Sequence, residues 1–253
     1  MTGKVLIVGA GPGDPRLITV RGLECIRAAD VIVYDRLVDP SLLDHAPPHA
    51  ERIYAGKESS SHTLPQDSIN QLLAMHARLG KSVVRLKGGD PMVLGRGGEE
   101  ALFLAERGIP FEIVPGVTSA IAVPALAGIP VTHRGVSNSF AVVTGHECGL
   151  DSAPDYAALL RSAGTLVILM GVKNLPKIVA QMLLAGIDPE TPIAAIEAWT
   201  HDEQRTFVST LGRIMKESSE IKPPAVIIVG NVVLLRDRLR WFQEATQTSF
   251  SHP

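Results

Sequence analysis

Two neighbouring glycine groups, Gly88-Gly89-Asp90-Pro91 and Gly95-Arg96-Gly97-Gly98, frame the stretch of this chain best equipped for chemistry. The first directly follows an apolar strand pattern, Ser82–Leu86. Glycines at that point remove the Cβ atoms that would hold a ligand away from the backbone. Asp90 offers a carboxylate acceptor and Pro91 stops the strand. Ligands of open α/β sheets bind at the carboxyl ends of strands, so this turn is where a site is expected. The second group brings a guanidinium, Arg96, to the same loop. A plain connection needs neither so many glycines nor the arginine, and the loop reads as a site.

A second glycine loop, Gly9-Ala10-Gly11-Pro12-Gly13-Asp14, follows the apolar run Lys4–Val8. Strand, glycine loop and helix invite a dinucleotide-binding reading, but Asp14 stands where the fingerprint needs glycine. Pro12 also removes one amide that would cradle a pyrophosphate. Asp35, ending the run Val31–Tyr34, sits where a ribose-binding acid would lie; as an alternative it caps a short helix near Pro40–Leu43. The nicotinamide reading therefore ranks second. Lys57, after Gly56 at another strand end, reads by itself as a solvated charge. Thr118-Ser119 can cap a helix over residues 120–127.

These residues need elements to carry them. Thr19 is the best N-cap of a helix running to about Ala29. Pro65 suits the first turn of a helix with Ile69, Leu72, Leu73 and Leu79 on its apolar face and His76 at the core edge. Gly80 ends it. A helix over Glu99–Arg107, stopped by Gly108, and a strand Phe111–Val114 follow. Later strands are expected at Phe140–Thr144, Thr165–Met170, Ile193–Glu197, Thr206–Thr210 and Ala225–Val229, with helices over Tyr156–Ser162 and Leu175–Ala185. The closing meander implies antiparallel pairing, so the second sheet is mixed. The fold class is α/β, with two α/β domains, a mostly parallel first sheet and a mixed second one. The stretch Gly128–Ser139, rich in glycine, proline and polar residues, is the best boundary by composition. The tail beyond Phe242 lacks a core pattern and is predicted to be disordered.

At 253 residues the chain can bury one large core or two small ones. Its core is mostly aliphatic, since only 4% of residues are aromatic. A net charge of −2 argues against a general nucleic-acid binder. Cys25 and Cys148 stand in no metal-ligand spacing, so reduced thiols and no metal site are expected, as in a cytoplasmic protein. The start shows no export signal, and residues 120–131 are too short and too broken by proline to span a bilayer.

Taken together, GAGPGD (Gly9–Asp14), IVYDRLV (Ile32–Val38), AGK (Ala55–Lys57), RLKGGDPMVLGRGGEE (Arg85–Glu100), VPGVTSA (Val114–Ala120) and PVTHRG (Pro130–Gly135) resemble the tetrapyrrole methylases over essentially residues 3–240. The separate glycine loops are weakly specific, whereas GGDPMVLGRGGEE in this order is highly specific. The resemblance implies a homodimer of chains with two α/β domains, taken as residues 1–115 and 116–245 with a tail at 246–253. It implies S-adenosylmethionine (SAM) held in the cleft between those domains. By that likeness Pro12, Gly88, Gly89, Asp90, Val93, Thr118 and Ser119 line the cofactor from the first half, and Met170, Ala198, Trp199 and Ala225 from the second. Ala198-Trp199 departs from the Asn-Gly that many relatives carry there, which favours a backbone contact.

The implied substrate is uroporphyrinogen III, methylated at two carbons to give precorrin-2. A sulfonium methyl is already electrophilic, so the reaction needs alignment rather than a metal or a nucleophilic side chain. Asp35, Lys57 and Arg96 match positions for proton transfer and substrate handling. Asp35 would accept the proton that the methylated ring must lose, and Lys57 would donate during tautomerisation. Arg96 would pair with a substrate carboxylate. Arg36, Arg85, Lys87 and Arg134 are further partners for the substrate's carboxylates, or surface charges. A methylase of a later corrinoid, a nucleotide-binding oxidoreductase and a non-enzymatic sensor are the competing readings.

Overall fold

The computed structural model describes residues 2–56, 65–146, 154–197, 204–216, 218–239 and 241. The chain divides into two compact units, 1–119 and 120–253. In the first, β1 (Lys4–Gly9), β2 (Val31–Tyr34), β3 (Glu51–Tyr54), β4 (Ser82–Lys87) and β5 (Phe111–Val114) form one sheet in the order β3-β2-β4-β1-β5. Every pairing in it is parallel. Strands covered on both faces read as continuous apolar runs, which is why Val31–Tyr34 is found where the sequence places it; Phe111–Val114, also found where it is expected, is an edge strand that carries Glu112 outward.

Helix α1 (Val20–Arg27) covers one face, its Cys25 and Ile26 packing with Leu6, Val8, Ile32, Val84 and Leu86. Thr19 is its N-cap, accepting from the Gly22 amide at 3.1 Å. Helices α2 (Gln66–Arg78) and α3 (Gly97–Ala105) cover the other face, where Ile69, Leu73, Ala77 and Leu104 meet Val5, Ile7, Val31, Val33 and Val83. Leu79 does not belong to that apolar face: it is 68% exposed. A helical stripe advances by three or four residues, from 69 to 73 to 76–77, and Leu79 falls off it as the helix's closing residue. His76 is buried on the stripe.

In the second unit β6 (Ala141–Thr144), β7 (Leu166–Leu169), β8 (Pro192–Glu197), β9 (Arg205–Thr210) and β10 (Ala225–Val229) form a sheet in the order β6-β7-β10-β8-β9. Only β6 and β7 run parallel, so the sheet is mixed. Helices α5 (Tyr156–Ala163) and α6 (Leu175–Leu184) pack on one face and α4 (Ser119–Leu126) on the other. Ile129 is wholly buried in this unit's core, so the glycine- and proline-rich stretch from 128 continues the second unit. Among the described residues no helix is long and apolar enough to cross a membrane.

Candidate active site

The topology of the first sheet selects one crevice. Strands β1 and β4 are neighbours, yet the chain leaves β1 toward β2 and leaves β4 toward β5, on opposite sides. That reversal opens a gap at the carboxyl ends of β1 and β4, where doubly wound sheets bind ligands. The two glycine loops are the connections that leave those strand ends.

The loops are fastened to one another. Gly11 and Gly89 exchange backbone hydrogen bonds at 3.2 and 2.6 Å, and the Ala10 amide donates to Lys87 O at 2.7 Å. A Cβ on Gly116, after β5, would lie 2.4 Å from Gly89 O and 2.7 Å from Gly9 Cα, so three strand ends meet at a spacing only glycine permits. Asp90 completes the junction: its Oδ1 accepts from the Met92 amide at 2.8 Å and its Oδ2 from the Gly116 amide at 3.0 Å. Its carboxylate thus ties the β4 turn to the β5 turn. Gly89 has φ +69°, and a Cβ there would point into open space whose nearest atom is the Ser119 amide nitrogen, 3.8 Å away. This is a cradle that a side chain would fill, and it suits a ligand resting on backbone.

Pro12 is buried beside this junction, and Asp14 is taken up locally as the cap of the turn Pro15–Leu17, with its carboxylate on Arg16. Val93 is half-buried on the β4 loop, and Thr118 and Ser119 lead into α4. The loop holds strained backbone: Leu94 and Arg96 have φ +53° and +60°. The Arg96 guanidinium forks onto Glu99, Nε to Oε1 at 2.9 Å and Nη2 to Oε2 at 2.7 Å. A substrate carboxylate would compete with Glu99 for that fork.

Asp35 follows β2 directly. Its Oδ1 accepts from the Leu37 amide at 3.2 Å and its Oδ2 lies 3.7 Å from Arg85 Nη2. It does not cap the turn Pro40–His45, since Asp39 does, accepting from the Ser41 amide. Lys57, Ala198 and Trp199 lie outside the described residues, as does the tail at 246–253.

The sequence reading of Arg85 and Lys87 as surface or substrate-facing charges is corrected. They are only 3% and 5% exposed, on the face of β4 that continues from Val83 toward α2 and α3. Both donate to Glu100 Oε1 of α3, at 3.1 and 3.0 Å, as does Gln66 Nε2 at 3.1 Å. Glu100 is fully buried, and its Oε2 has no hydrogen-bond partner among the described residues. Burial, and after it the neighbouring Arg85, push the Lys87 ammonium below its ordinary pKa, against the opposite pull of Glu100 and Asp35. Two charges inside a buried parallel strand were the available signal, because such a strand has no solvent face for them.

In the second unit, Met170 follows β7 directly with φ +56°, and Ala225 begins β10. The register Ile227↔Ile168, continued two residues, brings Ala225 opposite Met170, and Ala225 also pairs with Glu197. Met170, Ala225 and the strand end before Ala198 therefore share one end of that sheet. A groove of about 480 Å³ lies between α2 and α3, lined by Asp67, Gln71, Phe103 and Arg107 among others, and by none of the residues assigned to the cofactor.

The family profile of the Tetrapyrrole (Corrin/Porphyrin) Methylases matches residues 4–215. The chain belongs to this family. It is 51% identical over 240 residues to the uroporphyrinogen-III C-methyltransferase of Methanocaldococcus jannaschii, covering 94% of this chain and 99% of that protein. It is 46% identical to the siroheme synthase of Nitrosomonas eutropha, spanning 99% of this chain and 53% of that protein. The crystal structure of the uroporphyrin-III C-methyl transferase from Thermus thermophilus complexed with S-adenyl homocysteine superposes with a TM-score of 0.80. It is 43% identical and covers 92% of this chain and all of that one.

Proposed function

We propose that this tetrapyrrole methylase transfers methyl groups from SAM to two carbons of uroporphyrinogen III in succession, giving precorrin-2. Half identity to the Methanocaldococcus jannaschii enzyme along nearly its whole length is the observation that carries this reading. The glycine junction fits the cofactor: Gly88, Gly89 and Asp90 would hold it beside Pro12 and Val93, with Thr118 and Ser119 opposite. Met170, Ala198, Trp199 and Ala225 are assigned the cofactor's remaining contacts. When bound, SAM supplies a methyl already activated by its sulfonium.

The chain's own task is alignment and proton management. Asp35 is the proposed acceptor of the proton that the ring loses after methylation, with one oxygen fixed by the Leu37 amide. Lys57 is assigned the returning proton. Arg96 is assigned a substrate carboxylate, exchanging Glu99 for it, because a planar fork matches a carboxylate better than an ammonium does. One donor site cannot reach two ring carbons at once, so the ring must turn or leave between transfers. We also assign the chain to the cytoplasm as a homodimer. Anaerobic incubation with SAM and uroporphyrinogen III, followed by mass spectrometry, tests the reaction. One and then two added methyl groups are expected, with two equivalents of demethylated cofactor. A product that stops at one methyl, or activity only on an already methylated ring, contradicts it.

A further inference from the structure

Arg85, Lys87 and Glu100 occupy a place that packing alone would fill with aliphatic side chains. On the same face of the sheet the neighbouring positions are Val5, Ile7, Val31, Val33 and Val83. Buried ion sets are a poor source of stability, and apolar replacements of similar volume are often neutral or favourable. Two cations against one anion leave this set one positive charge in excess. The carboxylate that answers it is Asp35, at the carboxyl end of the adjacent strand.

We propose that Arg85 is a positioning residue for the methylation reaction, fixing the carboxylate of Asp35 from the buried cluster. The proposal rests on the assignment of Asp35 as proton acceptor. Arg85 is suited to the task because its other donors are committed: Nε to Glu100 Oε1 at 3.1 Å, and Nη1 to the carbonyls of Val33 and Leu86 at 3.3 and 3.4 Å. These partners sit on β2, β4 and α3, so the guanidinium is held from three elements. Its remaining nitrogen, Nη2, faces Asp35 Oδ2 at 3.7 Å. At that distance the cation attracts the carboxylate without occupying the oxygen by a hydrogen bond, and Oδ2 keeps its lone pairs for an arriving proton. Glu100 and Gln66 act one step behind, by holding Arg85 and closing the network.

A double-mutant cycle tests this with kcat, KM and SAM affinity measured on the full chain. Asp35→Asn should lower kcat by about 100-fold or more with SAM affinity unchanged. Arg85→Lys, which shortens the reach and loses the fork, should lower kcat by about 10-fold with KM for SAM unchanged. In the Asp35→Asn background Arg85→Lys should cost nothing further, within about twofold, because both changes remove one device. Full additivity, or wild-type kcat in Arg85→Lys, overturns the proposal while leaving the role of Asp35 standing. Unchanged kcat in Asp35→Asn removes both. Should Arg85→Lys not fold, Asp35→Glu gives the decision without touching the cluster. Moving the carboxylate by one methylene should lower kcat by about 10-fold, and full activity would overturn the proposal.

Discussion

The two sheets of this protein have the same number of strands and opposite economies. The second keeps an aliphatic core: β7, β8 and β10 are buried along their whole length, and the cores on both faces hold Leu, Ile, Val and Ala almost alone. Its buried carboxylate, Glu197, sits at a strand end and is consumed by the Lys222 amide and Arg205. The first sheet places Arg85, Lys87 and Glu100 inside its core and joins three strand ends through glycines. Most of the buried charge among the described residues therefore lies in one unit, on β4 and on the helix that follows its glycine loop. The second unit places its strained residue, Met170, just past the end of β7. On the reading proposed above, the first unit's buried charge serves the chemistry of Asp35.

The strongest way to break this contrast is Gly89→Val. A β-branched residue is strained at φ +69° and would fill the cradle, so SAM affinity should fall by roughly 100-fold or more while the protein stays folded. Calorimetric titration with SAM checks it, and undiminished affinity would remove the junction from the cofactor site.

Next comes a matched pair. Glu100→Ala leaves two buried cations with the Asp35 carboxylate alone to answer them and should destabilise the protein by about 3–5 kcal/mol. Ile168→Ala, in the middle of β7, opens a cavity worth about 2–5 kcal/mol. The two differ in what survives. Folded Ile168→Ala should keep its turnover, whereas folded Glu100→Ala should not. Equal turnover in both would mean that the buried charges are only an unusual core.

Lys87 sharpens the contrast further through pH. Its native pKa is lowered, chiefly by burial, so the unfolded chain binds that proton more tightly than the native one. Its contribution to stability therefore rises with pH between the lowered native value and the ordinary lysine value. Lys87→Met should lose that rise relative to the unaltered chain when denaturant unfolding is compared at about pH 8 and about pH 10. Parallel pH dependences would show that the residue is not desolvated. The smallest effect belongs to the surface: Glu112, paired with Lys4 at 2.5 Å and Arg21 at 3.2 Å, is partly exposed. Glu112→Ala should cost no more than about 1 kcal/mol and leave turnover alone.

Much of this was legible in the chain. Continuous apolar runs gave β2 and β10 their ends, because a strand covered on both faces leaves little room for polar side chains. The glycine groups marked the junction because close backbone approach leaves no other choice of residue. The buried cluster was legible only as two charges within an otherwise apolar strand. Arg85 and Lys87 alternate with Val84 and Leu86 like solvent-facing residues, and their partner Glu100 stands on a helix whose charges are otherwise exposed. Asp90 read as a ligand acceptor; that its carboxylate also ties the β4 turn to Gly116 was not legible, because Gly116 is distant in sequence. The roles of Asp35 and Arg96 came from resemblance, and the ion contacts that give those roles a physical setting required coordinates.

Hydrogen exchange of the whole protein with and without S-adenosylhomocysteine tests the central claim most directly. Binding at the carboxyl ends of β1, β4 and β5 should slow exchange in peptides covering residues 9–14, 88–96 and 115–119. Peptides lining the groove between α2 and α3 should be unchanged. Protection in that groove, with the glycine loops exchanging as before, would contradict the account.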